Sequence, residues 1–370
     1  MERTAGQDRY YRIDTVVLRS AAELKSFEAF ACDPADADVT VERTDELPPE
    51  GEGINTGSVI IRTSGQGWIF QPAAGTGTFL YVSQDYTKLR LVSSGKPYGV
   101  MMSEMLVRMA LECLLARRGY VSVHSACIAV DGKAIAFCGP SGVGKSTRAS
   151  AWIEAFGAEL ISGDRPLIHV KRREVFGVPW DGKEKCFRNV SCPLRGIYEV
   201  RRSGTTYVRE MSFEQRRRLL LRQCFIPMWD TETAAIQMMN ISRLASGAEM
   251  YRVFGGPTAD DARALRDLLD QQKYLKEEKD MKAKDGFVLR NIADEYILMP
   301  VGDNIRHFNG TLLMNEVSAF IWEKLQNPMT SSDLLTAILE EFDVDEAKAS
   351  ADLDTVLKEL KDYDVIECDG

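Results

Sequence analysis

Gly139-Pro-Ser-Gly-Val-Gly144-Lys145-Ser146-Thr147 satisfies the pattern Gly-x-x-x-x-Gly-Lys-Ser/Thr in full, and its two flanks decide the fold. An apolar run of strand length, residues 134–138, comes before it, and a helical run, residues 146–156, comes after. Strand, glycine-rich loop and helix therefore follow in order, as in a P-loop. Glycines let the backbone wrap closely around phosphate oxygens with successive N–H groups turned inward, and the helix start adds partial positive charge. Gly139, Ser141, Gly142, Val143, Gly144, Lys145, Ser146 and Thr147 are thus the expected binding residues for a nucleoside triphosphate. The Lys145 ammonium is expected on the β- and γ-phosphates and the Ser146 hydroxyl on Mg²⁺.

Working outward, Ser125-Ala-Cys-Ile-Ala-Val and Lys133-Ala-Ile-Ala-Phe-Cys flank Asp131-Gly132, a hairpin signal because both turn residues tolerate positive φ. A helix is expected before them, with Ser103 as its cap, Glu104 in the first turn, Arg117 and Arg118 in the last, and Gly119 beyond. Downstream, Ala158-Glu-Leu-Ile-Ser reads as a strand that ends in Gly163-Asp164-Arg165. A carboxylate there, at the C-terminal end of the strand after the loop helix, is placed to hold Mg²⁺ or its water. The competing reading of Asp164 is a turn cap. His124, just before the hairpin, reads either as a hydrogen-bonded core residue or as a functional group. Strands and helices alternate up to the helical run 258–272, so the region is α/β.

Bulk properties set limits. A chain of 370 residues suggests two or three domains, and 45% hydrophobic with 27% charged residues is the composition of a soluble globular protein. A net charge of −9 argues against a nucleic-acid binder. Charges interrupt every apolar stretch, and Met1-Glu-Arg-Thr-Ala-Gly-Gln-Asp lacks a signal-peptide core, so no membrane span and a cytoplasmic location are expected. The eight cysteines (Cys32, Cys113, Cys127, Cys138, Cys186, Cys192, Cys224 and Cys368) show no metal spacing and are expected to be buried reduced thiols.

Four segments follow. Residues 1–100 form a β-rich lobe in which Val59-Ile-Ile-Arg, Gly67-Trp-Ile-Phe and Thr78-Phe-Leu-Tyr-Val read as strands. Residues 101–272 carry the loop, and residues 273–285, almost all charged, are expected to be a linker or a helix extension. Residues 286–370 form an acidic α+β domain; between 287 and 367, 17 acids face 6 bases. Strands are expected near 287–292, 296–300 and 305–314, then three helices with apolar stripes at Val317/Phe320/Ile321/Leu325, Leu334/Leu335/Ile338/Leu339/Phe342 and Leu353/Val356/Leu357/Leu360. Ser331 and Asp345 are the expected caps of the later two, and Trp322 is expected in the core.

With these residues assembled, the stretch 121–170 resembles the HPr kinase/phosphorylase family and its peptide-phosphorylating relatives: Val-His-Ser-Ala, the Asp-Gly hairpin, Gly-Pro-Ser-Gly-Val-Gly-Lys-Ser-Thr and Leu-Ile-Ser-Gly-Asp-Arg all fit. A weaker likeness runs on through Gly177-Val-Pro-Trp-Asp-Gly-Lys-Glu. The resemblance implies an ATP- and Mg²⁺-dependent kinase in which His124, Lys145 and Asp164 are catalytic, Ser146 and Asp164 hold the metal, and the chain forms a homo-oligomer unless the fused domain blocks that surface. It departs where the family has Asp-Asp: here Gly163 precedes Asp164, and the first acid, commonly the base on the acceptor serine, is missing. Asp164, His124, Asp181 and Glu184 are then the candidates for that base, and slow or absent transfer is the other outcome. Lys183, Lys185 and Arg188 are read either as added charge near the phosphates or as a solvated face.

Phe308-Asn-Gly-Thr-Leu-Leu-Met-Asn-Glu-Val-Ser-Ala-Phe-Ile-Trp-Glu-Lys-Leu resembles the PqqD-like family, the RiPP recognition element of winged-helix-like content. That resemblance implies capture of a precursor peptide, its leader added as a strand to the sheet edge. A winged-helix DNA reader shares this element content, but the acid excess argues against it. Together the two resemblances imply a leader-guided Ser/Thr peptide kinase. The alternatives are an ATP-binding module that delivers peptide to another enzyme, and a small-molecule kinase with a regulatory C-terminal domain.

Overall fold

The computed structural model of the chain describes residues 8–93, 97–180, 185–292, 295–306, 308 and 310–368. It divides into two compact units, Met1–Leu275 and Lys276–Gly370.

In the first unit the β-rich lobe is a mixed sheet in the order Arg9–Ile13, Val16–Ser20, Val39–Arg43, Lys88–Val92, Phe79–Ser83, Gly67–Pro72, Val59–Ser64 and Ile54–Asn55. The three strands legible in the sequence make an antiparallel meander that continues into Lys88–Val92. Burial alternates along that last strand, with Leu89 and Leu91 inward and Lys88 and Arg90 outward, because one face alone is covered. The cover is a helix, Pro97–Arg117. Phe70, Leu80 and Leu89 share a core with its Leu106, Val107, Ala110 and Leu114, and the same core takes in Tyr120, Leu167, Phe176 and Trp180. The lobe therefore does not close a core of its own at residue 100; the helix is apolar on most sides and serves two sheets at once.

That helix begins earlier than expected. It starts at Pro97, whose missing N–H is harmless in a first turn. Ser103 is not a cap but lies buried inside the helix, donating its hydroxyl to the Gly99 carbonyl at 2.7 Å. The expected end holds: Arg117 is the last helical residue, and Gly119 has φ +85°.

The main run of the second sheet is Glu159–Ser162, Ser125–Val130, Lys133–Cys138, Ser191–Arg202, Met250–Gly255 and Tyr207–Glu210. Ser191–Arg202 is long enough that its first residues pair with Glu174–Phe176, which leads on to Leu167–His169 and Tyr120–Ser122. The Asp131-Gly132 hairpin forms as expected, with φ of +50° and +71°. Helices cover both faces. Ile128, Ile135 and Phe137 pack with Trp152 of the helix Lys145–Phe156 and Leu265 of the helix Ala259–Asp270. Cys127, Ala134, Ala136 and Cys138 pack with Leu220 of the helix Phe213–Gln223 and Leu244 of the helix Thr231–Gly247. A sheet buried on both sides explains why these strands read as continuous apolar runs. All eight cysteines are free; Cys113, Cys127, Cys138 and Cys192 are buried, but Cys32, Cys186 and Cys224 are half-buried and Cys368 is exposed, contrary to expectation.

The second unit opens inside the supposed linker. Met281–Ala283 is a strand paired antiparallel with Ile366–Cys368, with Met281 and Ala283 buried. Glu278 accepts a hydrogen bond from the Ser332 hydroxyl at 2.7 Å. Two buried side chains on either side of Lys282 are enough to anchor the stretch, so it is part of a core and not a solvated connector. Phe287–Ile292 and Glu295–Pro300 pair as expected, but the third strand shrinks to Leu312–Met314. A 3₁₀ turn, Gly302–Arg306, takes in the start of the expected strand, and Gly310 at φ +100° lies just before the part that remains. Three helices follow, Glu316–Lys324, Ser331–Glu341 and Glu346–Asp362. Asp345 caps the last as expected, accepting the Lys348 N–H at 3.0 Å, whereas Thr330 and not Ser331 caps the second, in a capping box with Asp333. Trp322 lies in the core, as expected. Among the described residues no helix is long and apolar enough to cross a membrane.

Candidate functional site

The strand Lys133–Cys138 ends directly in the glycine-rich loop. Gly139 (φ +143°) is wedged: a Cβ there would come within 3.0 Å of Val143 and 3.4 Å of the Val200 carbonyl. Gly142 (φ +81°) and Gly144 (φ +105°) face open space, so positive φ alone requires glycine at those two positions. Gly144 is the N-cap of the helix Lys145–Phe156 and offers its first N–H groups no side-chain acceptor. Lys145 folds back over the loop, its Nζ 2.9 Å from both the Gly139 and Pro140 carbonyl oxygens. Burial lowers its pKa, opposed by Cys138 and Asp164. Positive-φ glycines, an uncapped helix start and an ammonium are the donor set that a phosphate chain requires.

Register brings the other predicted residues to the same edge of the sheet. Ser125 pairs with Cys138, so His124 comes opposite Gly139; Cys127 pairs with Ser162, so Asp164 emerges beside it. His124 Nε2 lies 3.8 Å from Asp164 Oδ1. The turn that presents Asp164 is held by Ser162, whose hydroxyl donates to the Asp164 carbonyl at 2.8 Å and accepts its N–H at 3.3 Å. The His124 backbone N–H donates to the Gln223 carbonyl at 2.7 Å. Desolvation pushes the His124 pKa below its ordinary 6.5, and Lys145 pushes it further down against the pull of Asp164. The imidazole is therefore neutral at pH 7 and able to accept a proton.

Among the described residues Asp164 Oδ1, a buried atom, has no hydrogen-bond partner. A buried carboxylate oxygen without a donor is costly unless a cation meets it, so Asp164 fits a hard divalent ion. Ser146 and Thr147 are exposed on the first turn of the loop helix. One carboxylate and one hydroxyl, completed by phosphate oxygens, are a set of the kind Mg²⁺ uses. Ser141 is exposed on the loop and Val143 is buried beneath it.

Not every candidate joins this edge. Asp181, Lys183 and Glu184 lie outside the described residues. Arg188 bonds the Leu160 carbonyl at 2.8 Å and pairs with Glu159 at 2.6 Å, early in the strand whose far end carries Asp164. Lys185 is exposed at φ +50°. Two residues escaped the sequence reading. Arg202 closes the strand Ser191–Arg202 and donates to the Gly142 carbonyl at 2.6 Å, bracing the loop. Arg165 adopts φ +54°, and its carbonyl accepts the Trp180 indole N–H at 3.3 Å. Only the parallel pairing of the strand Ser191–Arg202 with Lys133–Cys138 marks Arg202, and pairing is not written in local sequence.

In the second unit, Leu312–Met314 pairs through Leu312 to Met314 with Tyr296 to Leu298, and it ends the sheet beside the helix Glu316–Lys324. Its Leu313 is exposed. Residues 295–366 match Coenzyme PQQ synthesis protein D (PqqD). Solved structures similar to this PqqD-like unit include TbiB1 in complex with the TbiA(beta) leader peptide, 24% identical, covering 23% of this chain and 94% of its own, with a TM-score of 0.20. Another is lasso peptide synthetase B1 complexed with the leader peptide, 15% identical, covering 24% and 96%, with a TM-score of 0.21. No curated protein matches the chain.

Proposed function

We propose that this chain is an ATP-dependent kinase that phosphorylates a Ser or Thr hydroxyl of a ribosomally made precursor peptide whose leader is captured by the PqqD-like unit. The observation that carries the reading is the convergence at one sheet edge of the positive-φ loop, Lys145, Asp164 with its unpartnered oxygen, and neutral His124. In this reading the loop N–H groups and Lys145 hold the triphosphate of ATP. Asp164 and Ser146 would hold Mg²⁺, which would supply positive charge to offset that of the transferring phosphate. The acceptor hydroxyl gives its proton to His124 Nε2 as its oxygen bonds the γ-phosphorus; the bond from that phosphorus to the bridging oxygen breaks, and ADP leaves with the oxygen. The leader adds as a strand along Leu312–Met314, gaining main-chain hydrogen bonds, with Leu313 beside it. Capture raises the local concentration of the acceptor to about millimolar for a short flexible connection.

Gly163 favours a second reading, a peptide-delivery module with ATP as a bound but unreacted ligand. Mass spectrometry of a candidate precursor incubated with the protein, Mg²⁺ and ATP separates the two. The kinase reading expects a gain of one phosphate that disappears in Lys145→Ala and in a leader-deleted peptide. Peptide and ATP both bound with no gain in mass, restored by Gly163→Asp, would establish the delivery module.

A further inference from the structure

We propose that Arg202 is a positioning residue of the glycine-rich loop: by holding the carbonyls of Gly142 and Val143 it aims and strengthens the N–H groups of Val143 and Gly144 as donors to a triphosphate. The triphosphate rests on reading the loop as a nucleotide site; the aim of the N–H groups does not.

Arg202 is the last residue of the strand Ser191–Arg202, which runs parallel to Lys133–Cys138. Cys138 pairs with Glu199, so the two strands deliver Gly139 and Arg202 to one edge of the sheet. Adjacent arginines part company there. Arg201, buried, pairs with the buried Glu199 at 2.8 Å. Arg202, exposed, donates from Nη2 to the Gly142 carbonyl at 2.6 Å and from Nε to the Val143 carbonyl at 3.4 Å. Among the described residues its guanidinium meets no carboxylate, so its positive charge stands beside the loop uncompensated.

Peptide geometry turns that contact into an effect on anion binding. The Val143 N–H belongs to the same planar trans unit as the Gly142 carbonyl, and the Gly144 N–H to the same unit as the Val143 carbonyl. Within such a unit the N–H points opposite to the C=O, so a cation on two successive carbonyls turns two successive N–H groups the other way. A charge-assisted bond at the carbonyl also polarises the peptide and makes its N–H a stronger donor. The loop shows where these donors point. Val143 N–H is directed at the Pro140 carbonyl at 3.4 Å, the same oxygen that accepts Lys145 Nζ at 2.9 Å. Two donors of the expected phosphate set thus converge on one oxygen.

The test reads aim and affinity separately on the full chain. Labelling with carbonyl-¹³C valine and ¹⁵N glycine selects Val-Gly peptides, and the sequence has two, Val143-Gly144 and Val301-Gly302, the latter an internal control. Arg202→Gln is expected to move the Gly144 amide signal upfield with the control unmoved, and Arg202→Lys to restore part of the shift. By calorimetric titration, tripolyphosphate is expected to bind about tenfold more weakly to Arg202→Gln, with partial recovery in Arg202→Lys. An unmoved Gly144 signal, or equal affinity in the three proteins, overturns the assignment. No binding by the unsubstituted chain overturns both the assignment and the nucleotide site. A moved signal with weakened binding, but no phosphate gained by a leader-bearing precursor with ATP and Mg²⁺, leaves Arg202 in place and removes the kinase. Transfer to that precursor with the same kcat and the same KM for ATP in Arg202→Gln does the reverse.

Discussion

His124 is held neutral by surroundings that disfavour a proton. Burial removes water from the imidazolium, and the charges of Lys145, Arg165 and Arg108 oppose it, while Asp164 pulls the other way. The folded pKa therefore lies below 6.5, and the unfolded chain binds the proton more readily. Acidification through that range costs stability, and it also removes the proposed base. The acid limb of the pH–rate profile for peptide phosphorylation is expected to have its midpoint below 6.5. His124→Gln should lower the plateau by about 10²–10⁴-fold and erase that limb. A limb at or above 6.5, or one that survives His124→Gln, would assign the proton to another group.

Among the elements, the loop has the most specific backbone. Gly144 has room for a methyl group, so Gly144→Ala tests conformation alone; forcing alanine to φ +105° costs on the order of 1–3 kcal/mol. A lower melting temperature together with weaker ATP binding is expected, by scanning fluorimetry and calorimetric titration. Unchanged ATP affinity in a folded variant would count against this loop as the phosphate site. The loop and its hairpin were legible because each needs residue types that few others can replace: Asp131-Gly132 for two positive φ angles, and Gly139, Gly142 and Gly144 for three more. The helix start was not legible, since Ser103 has the chemistry of a cap yet back-bonds to Gly99 from the helix interior. Nor was the truncation of the third small-domain strand, where Gly310 at positive φ interrupts an otherwise strand-like composition. Likewise Arg202 gains its place beside the loop from strand pairing, which joins residues far apart in sequence.

At the scale of the whole molecule, the break between Leu275 and Lys276 falls within residues 273–285, the stretch that composition marked as a linker. The charges of residues 273–285 hid a strand of three residues, too short for any periodicity to register. A fragment 276–370 is expected to melt cooperatively by circular dichroism, whereas 286–370, which lacks the partner of Ile366–Cys368, should melt several degrees lower or lose its cooperativity. Equal melting curves would show that Met281 and Ala283 contribute nothing. The first unit should unfold as one, because Pro97–Arg117 lies in a core shared by the lobe and the second sheet. In the second unit, Met281–Ala283 pairs with Ile366–Cys368, so the point where the chain enters that fold and the point where it leaves are hydrogen-bonded neighbours. A fold with entrance and exit side by side needs no particular place in a host: it can be appended at an end or spliced into a surface loop without spreading the ends of that loop. In evolutionary terms the PqqD-like unit is a portable cassette, and the lobe, fastened through a shared helix, is not.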